Sequence, residues 1–258
     1  MAYDYGGING PHTWALRFPA AGGQKQSPIN ICHSKLTIDT SLKPLILDVR
    51  SITAQSLKIG SHNFQVVVEG DGVLKGGPLA SEYTFAQFHF HWGGGNNWGS
   101  EHLIDGISSP GELHCVFLNK SYADKEAAFD YPDGLVVIGV LFKLSSTANP
   151  IMQKLAELLE NPRSGETRPI SPLLQLTNLF PKDLSKYYTY SGSLTTPPCN
   201  ECVTWIVLDE PLLVSEDVME RLRRVHSRCK NCGGPDNFRP ICPLGSRKIV
   251  ASFQPASQ

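Results

Sequence analysis

Proline and glycine punctuate this 258-residue chain from end to end, 19 of the one and 23 of the other. Proline breaks helix interiors and central strands, and glycine weakens both, so a chain cut this often is confined to short elements joined by turns. The stretches between the cuts are rich in β-branched and aromatic residues. They predict strands at Leu45–Val49, Phe64–Val68, Tyr83–Trp92, Glu112–Asn119, Leu135–Lys143, Thr204–Leu208 and Lys248–Phe253. Helical patterns are fewer. Asn149-Pro150 opens a run with Ile151, Leu155, Leu158 and Leu159 on one stripe, and Ser215 with Glu216 and Asp217 forms a cap and acidic first turn ahead of Val218, Leu222 and Val225. The fold class is therefore mainly β (α+β), a sheet with peripheral helices. With no repeat or low-complexity linker, residues 1–258 read as one domain.

Charge excludes several partners. Lys+Arg 23 against Asp+Glu 24, with no block of like charges, offers no basic groove for nucleic acid and no patch for a membrane surface, so a small-molecule substrate is expected. The opening MAYDYGGINGPHTW has neither the basic start nor the apolar run of a secretory signal, and no stretch approaches the ~20 apolar residues that span a bilayer. Seven cysteines, Cys32, Cys115, Cys199, Cys202, Cys229, Cys232 and Cys242, are an odd number in a chain long enough to have a real core, which favours reduced thiols and a cytoplasmic location. Asn119-Lys120-Ser121 fits the glycosylation triplet, a pattern frequent by chance.

The chemistry concentrates in Gln87-Phe88-His89-Phe90-His91-Trp92. At the two-residue period of a strand, Gln87, His89 and His91 share one face, so two imidazoles project side by side toward a common point. Gly111-Glu112-Leu113-His114-Cys115-Val116 repeats the pattern and offers His114 as a third nitrogen, with Cys115 on the opposite face. Three histidines without a fourth protein ligand describe an open, catalytic zinc site rather than a closed structural one. Gln87 and Glu112 each precede a ligand by two residues on the same face, where they can hydrogen-bond a ring and fix its tautomer.

Seven motifs in order make the chain resemble an α-class carbonic anhydrase throughout: Gln26-Ser-Pro-Ile-Asn30, Gln87-Phe-His-Phe-His-Trp92, Gly99-Ser-Glu-His102, Glu112-Leu-His114, Gly192-Ser-Leu-Thr-Thr-Pro-Pro198, Glu201-Cys-Val-Thr-Trp205 and Asn237-Phe-Arg-Pro240. The resemblance implies a large, mostly antiparallel central sheet and cis peptides at Ser27-Pro28 and Pro197-Pro198. It implies Zn2+ on His89, His91 and His114 at the bottom of a cone-shaped cleft, where zinc-bound hydroxide attacks carbon dioxide to give bicarbonate and a proton. It places Thr195, paired with Glu101, as the group that orients the hydroxide, and Thr196 beside the substrate oxygen. Val116, Val137, Leu194, Val203 and Trp205 become the apolar wall. His62 becomes the proton shuttle, Tyr5 and Gln65 the groups ordering water on its path, and Asn237 the residue whose carbonyl orients His91. A relative that kept the fold without the chemistry would be expected to lack one of the three histidines, and all are present; a zinc esterase would use the same nucleophile and stays open. A monomer is expected.

The chain departs from secreted members of that family, which often pair a cysteine after Thr-Thr-Pro-Pro with one near the start. Cys199 is present, but Ala21 stands at the other position, so that bridge cannot form. Cys229, Cys232 and Cys242 leave redox chemistry, a disulfide or a second metal open. His12, His33 and His226 are expected at the surface, and His102 as a structural hydrogen-bonder.

Overall fold

The two histidine-bearing segments become the centre of a sheet. In the computed structural model, which describes residues 3–122, 124–226 and 234–255, a 12-stranded sheet runs in the order Thr167–Gln175, Thr53–Ile59, Phe64–Glu69, Tyr83–Trp92, Gly111–Asn119, Leu135–Leu144, Val203–Val214, Tyr187–Gly192, Ile249–Ala251, Leu36–Ile38. Val73–Gly76 joins it beside Tyr83–Trp92 and carries Leu45–Asp48. Pairing is antiparallel except between Leu135–Leu144 and Val203–Val214 and between Ile249–Ala251 and Leu36–Ile38. All seven expected strands are present, five of them within one residue of their predicted ends.

The strand expected to stop at Leu208 continues to Val214. Its pairing skips between Val140↔Leu208 and Phe142↔Leu212, so Pro211 falls at an irregularity where no ladder hydrogen bond is required of it. Thr167–Gln175, not foreseen, carries Pro169 and Pro172 and lies at the sheet's end, where an edge strand tolerates proline. Ser27-Pro28 and Pro197-Pro198 are cis as the motifs imply, and Ser171-Pro172 is cis as well.

A bulge decides which side chains face the core. Along Tyr83–Trp92 the side chains in the hydrophobic core are first Tyr83 and Phe85 and then Phe88, Phe90 and Trp92, a change of parity that coincides with a register shift between Phe85 and Gln87. The extra residue lets odd and even positions feed the same core. That core also takes Phe64, Phe117 and Phe142, together with Ile151, Met152 and Leu155 from helix Pro150–Glu157 and Val218, Met219 and Leu222 from helix Glu216–His226. Pro150 opens the first helix as expected, with Asn149 Oδ1 accepting from Ile151 N–H (3.0 Å), and Ser215 caps the second as expected, its Oγ accepting from Val218 N–H (3.3 Å). The opposite face carries a second cluster containing Val116, Val137, Tyr190, Val203 and Trp205.

Phe90 lies between two of the predicted ligands, is wholly buried, and has Phe64, Phe88 and Phe142 ring centroids at 5.1, 5.7 and 6.2 Å. Phe90→Ala is expected to lower unfolding stability in urea by about 3–5 kcal/mol, the usual cost of an aromatic cavity. A loss under about 1 kcal/mol would show that the strand does not depend on this anchor.

Candidate metal centre

Register brings the three rings together. Gln65 pairs with His89, His89 with His114, and His91 with Glu112, so imidazoles from neighbouring strands meet on the face opposite the phenylalanines. Ring centroids are 5.1 Å apart for His89 and His91, 5.3 Å for His89 and His114, and 4.6 Å for His91 and His114. A nitrogen from each lies within 4.8 Å of the other two.

Each ring is oriented by its other nitrogen. His89 Nδ1–H donates to Gln87 Oε1 (3.0 Å), His91 Nδ1–H to the Asn237 carbonyl (2.8 Å), and His114 Nε2–H to Glu112 Oε1 (2.8 Å). In these tautomers Nε2 of His89, Nε2 of His91 and Nδ1 of His114 keep a lone pair. His91 Nε2 is buried without any hydrogen-bond partner, a costly arrangement that a metal ion removes. Burial holds His89 well below the usual imidazole range, pushes His91 down to about 4 and lowers His114. All three therefore remain neutral, as ligands must. The donor set and its orienting partners fit Zn2+.

Burial alone would raise Glu112, yet His102 and His114 and their hydrogen bonds hold it well below the carboxylate range. His102 Nδ1 is 2.7 Å from Glu112 Oε1, and His102 Nε2 is 2.6 Å from the Tyr190 hydroxyl, the structural role expected of it. His102, Glu112 and His114 also cluster at ligand distance, but their facing atoms are spent on one another. Burial pushes Glu101 up to about 7, against the pull of His114, the Arg239 N–H (2.8 Å) and nearby Thr195; Glu101 Oε2, 3.8 Å from His114 Nδ1, has no hydrogen-bond partner. A divalent cation on the adjacent rings would favour its ionised form.

The cleft above the rings has two unlike halves meeting at Gln87, His89 and Thr196. One, about 370 Å³, is lined by polar groups including Tyr5, Gln65 and Asn63; the other, about 290 Å³, by Val116, Leu135, Val137, Leu194 and Trp205 together with Thr195. Val203 is wholly buried in the cluster behind that wall rather than on its surface. Phe129 and Leu135 complete the apolar lining, and Tyr3, which lines the polar half together with Thr196, closes that side. Sequence reasoning missed these three because none lies in a periodic pattern with a ligand. His62 lines neither half directly; its ring lies against those of Tyr3 and Tyr5, which line the polar one.

Other expectations resolve plainly. His12 is exposed, whereas His33 is tied in place, with Nδ1 2.8 Å from Asp105 Oδ2 and Nε2 3.0 Å from the Tyr188 hydroxyl. Asn119 is buried, with Nδ2 donating to the Asp133 carbonyl (3.1 Å), so its amide is engaged inside the protein. Cys115 faces the core, away from the rings, and burial raises its thiol well above the usual range. Cys32, Cys115, Cys199, Cys202 and Cys242 are free thiols; Cys229, Cys232 and the His226 side chain lie outside the described residues. Among the described residues no helix is long and apolar enough to cross a membrane.

Comparison with known proteins agrees with the geometry. The family model for eukaryotic-type carbonic anhydrase matches residues 9–253. Carbonic anhydrase 1 of Mus musculus is 39% identical over 260 aligned positions, which cover 97% of this chain and 98% of that protein. With a family match that spans nearly the whole chain and a three-histidine centre at the heart of the sheet, this chain belongs to the eukaryotic-type carbonic anhydrase family.

Proposed function

We propose that the chain catalyses the reversible hydration of carbon dioxide to bicarbonate and a proton, and the observation that carries this reading is the convergence of His89, His91 and His114, each oriented through its second nitrogen. Zn2+ held there supplies Lewis acidity that makes water nucleophilic near neutral pH, a property for which this family is the standard case. The remaining work falls to the chain. In this reading Thr195 gives its hydrogen to the Glu101 carboxylate, so its Oγ1 accepts the hydrogen of the attacking water and turns the oxygen lone pair toward the apolar half of the cleft. Val116, Val137, Leu194 and Trp205 there offer a nonpolar gas a surface that does not compete with it for hydrogen bonds. Thr196, shared by both halves, borders the product oxygens.

The proton leaves by the polar half. Tyr5, Gln65 and Gln87 order water between the metal site and the rim, and His62 accepts the proton and passes it to buffer. Five free thiols, and Ala21 where secreted relatives often carry a cysteine, support a cytoplasmic location. We infer a monomer built as a single domain. Hydrolysis of activated esters would draw on the same nucleophile, and comparing turnover of the two substrates ranks them.

Zinc analysis is expected to give about one ion per chain and close to none after His114→Ala, with hydration lost in parallel; full activity in that variant would remove the centre from the reaction. Thr195→Ala should retain zinc while hydration falls on the order of 10²-fold, the usual cost of one positioned hydrogen bond to a reacting group. Unchanged turnover would take Thr195 out of the mechanism. His62→Ala should lower kcat in dilute buffer with kcat/KM preserved, and added imidazole should restore it. Equal turnover of variant and parent at low buffer would refute the shuttle.

A further inference from the structure

Three consecutive residues near the start of the chain enclose the ring of His62. The Tyr3 ring lies 5.8 Å away at 36°, the Tyr5 ring 5.9 Å away at 77°, and between them Asp4 Oδ1 is 3.8 Å from His62 Nδ1. Both side chains of the Asp4–His62 pair are largely buried, 14% and 16% exposed, so water screens the carboxylate only in part.

The contact is built from both sides. Asp4 N–H donates to the Asn9 carbonyl (3.0 Å), the Asp4 carbonyl accepts from Trp14 Nε1 (3.2 Å), and Asp4 Oδ1 accepts from Tyr5 N–H (2.7 Å). Trp14 is wholly buried, lies edge-on to Tyr3 and Tyr5, and has the Arg239 guanidinium over its ring at 5.5 Å. On the other side, Asn237 Nδ2 donates to the His62 carbonyl (2.9 Å), while the Asn237 carbonyl holds His91. Carboxylate and imidazole thus belong to fixed segments.

We infer that Asp4 is a positioning residue for His62, whose carboxylate keeps the ring's proton on Nδ1 and so leaves Nε2 as the nitrogen that accepts a proton. At 3.8 Å the interaction is electrostatic rather than a direct hydrogen bond; a negative charge on one side of a neutral imidazole favours the tautomer with N–H on that side. The two ring nitrogens then have separate tasks. Nε2 takes the proton arriving from the cleft, and the imidazolium so formed releases either proton to buffer. The kinetic consequence rests on the shuttle reading above, whereas the tautomer does not.

Asp4→Asn keeps the shape and the acceptor for Tyr5 N–H while removing the charge, and Asp4→Glu restores it. Ring-nitrogen NMR on zinc-loaded protein, at a pH where His62 is neutral, should show mostly the Nδ1–H form in the parent, a clear shift toward Nε2–H in Asp4→Asn, and recovery in Asp4→Glu. In dilute buffer Asp4→Asn should lower kcat on the order of threefold, as befits a weak ion pair, with kcat/KM held and no further loss in a His62→Ala background. An unchanged tautomer ratio in Asp4→Asn, or the same loss of kcat with and without His62, would overturn the assignment. Undiminished turnover in His62→Ala alone would refute the shuttle instead, leaving the tautomer measurement to decide the role of Asp4.

Discussion

A carboxylate at the centre of a sheet is costly unless its lone pairs are used, and the environment of Glu112 is arranged to use them. Oε1 receives His114 Nε2–H and faces His102 Nδ1, while Oε2 accepts the backbone N–H groups of Glu101 and His102. One buried charge thus orients a metal ligand and pins the loop that carries Glu101. Through His102 it reaches Tyr190 and then Ser27, whose oxygen accepts from Tyr190 and from the Ser193 backbone at the base of the Thr195 loop. Gly139, paired with His114, is small for the same reason: a Cβ there would stand 2.9 Å from Glu112 Oε1. Ligand, orienting carboxylate and substrate loop are therefore coupled, so a change at any of them is felt at the others.

The cleft separates two tasks that conflict in one environment. A nonpolar gas partitions to a surface without hydrogen-bonding groups, whereas a proton needs an ordered polar path to leave. The sheet supplies both by presenting Val116 and Val137 on one side of His89 and Gln65 on the other. Residues distant in sequence then complete each half, Leu194 and Phe129 on the apolar side and the Tyr3 to Tyr5 segment on the polar side.

The first residues have a structural function that their composition does not advertise. Tyr3 and Tyr5 line the polar cavity together with Thr196, and Asp4 faces His62, all held by the buried Trp14. The same segment thus touches the substrate edge of the site and the proposed exit for its proton.

Strand period alone placed His89 and His91 on one face and His114 with Glu112 on another, because side-chain direction alternates residue by residue whatever the partner strand. The Pro150 helix start and the cap at Ser215 were legible for the same local reason. The motif resemblance added the roles of Thr195, Glu101 and His62, which no periodicity contains. Only the tertiary structure decided the rest. The bulge after Phe85 reconciles Tyr83 and Phe85 with Phe88 and Phe90 in one core, and inter-strand register sets His89 opposite His114. Asn237 and Arg239 approach His91 and Glu101 from the far end of the chain, Asp4 meets His62, and His33 is drawn from the expected surface onto Asp105 and Tyr188. Those contacts depend on how the sheet is registered and how distant loops close over it, quantities that pairing and packing determine collectively and that a local pattern of residues does not carry.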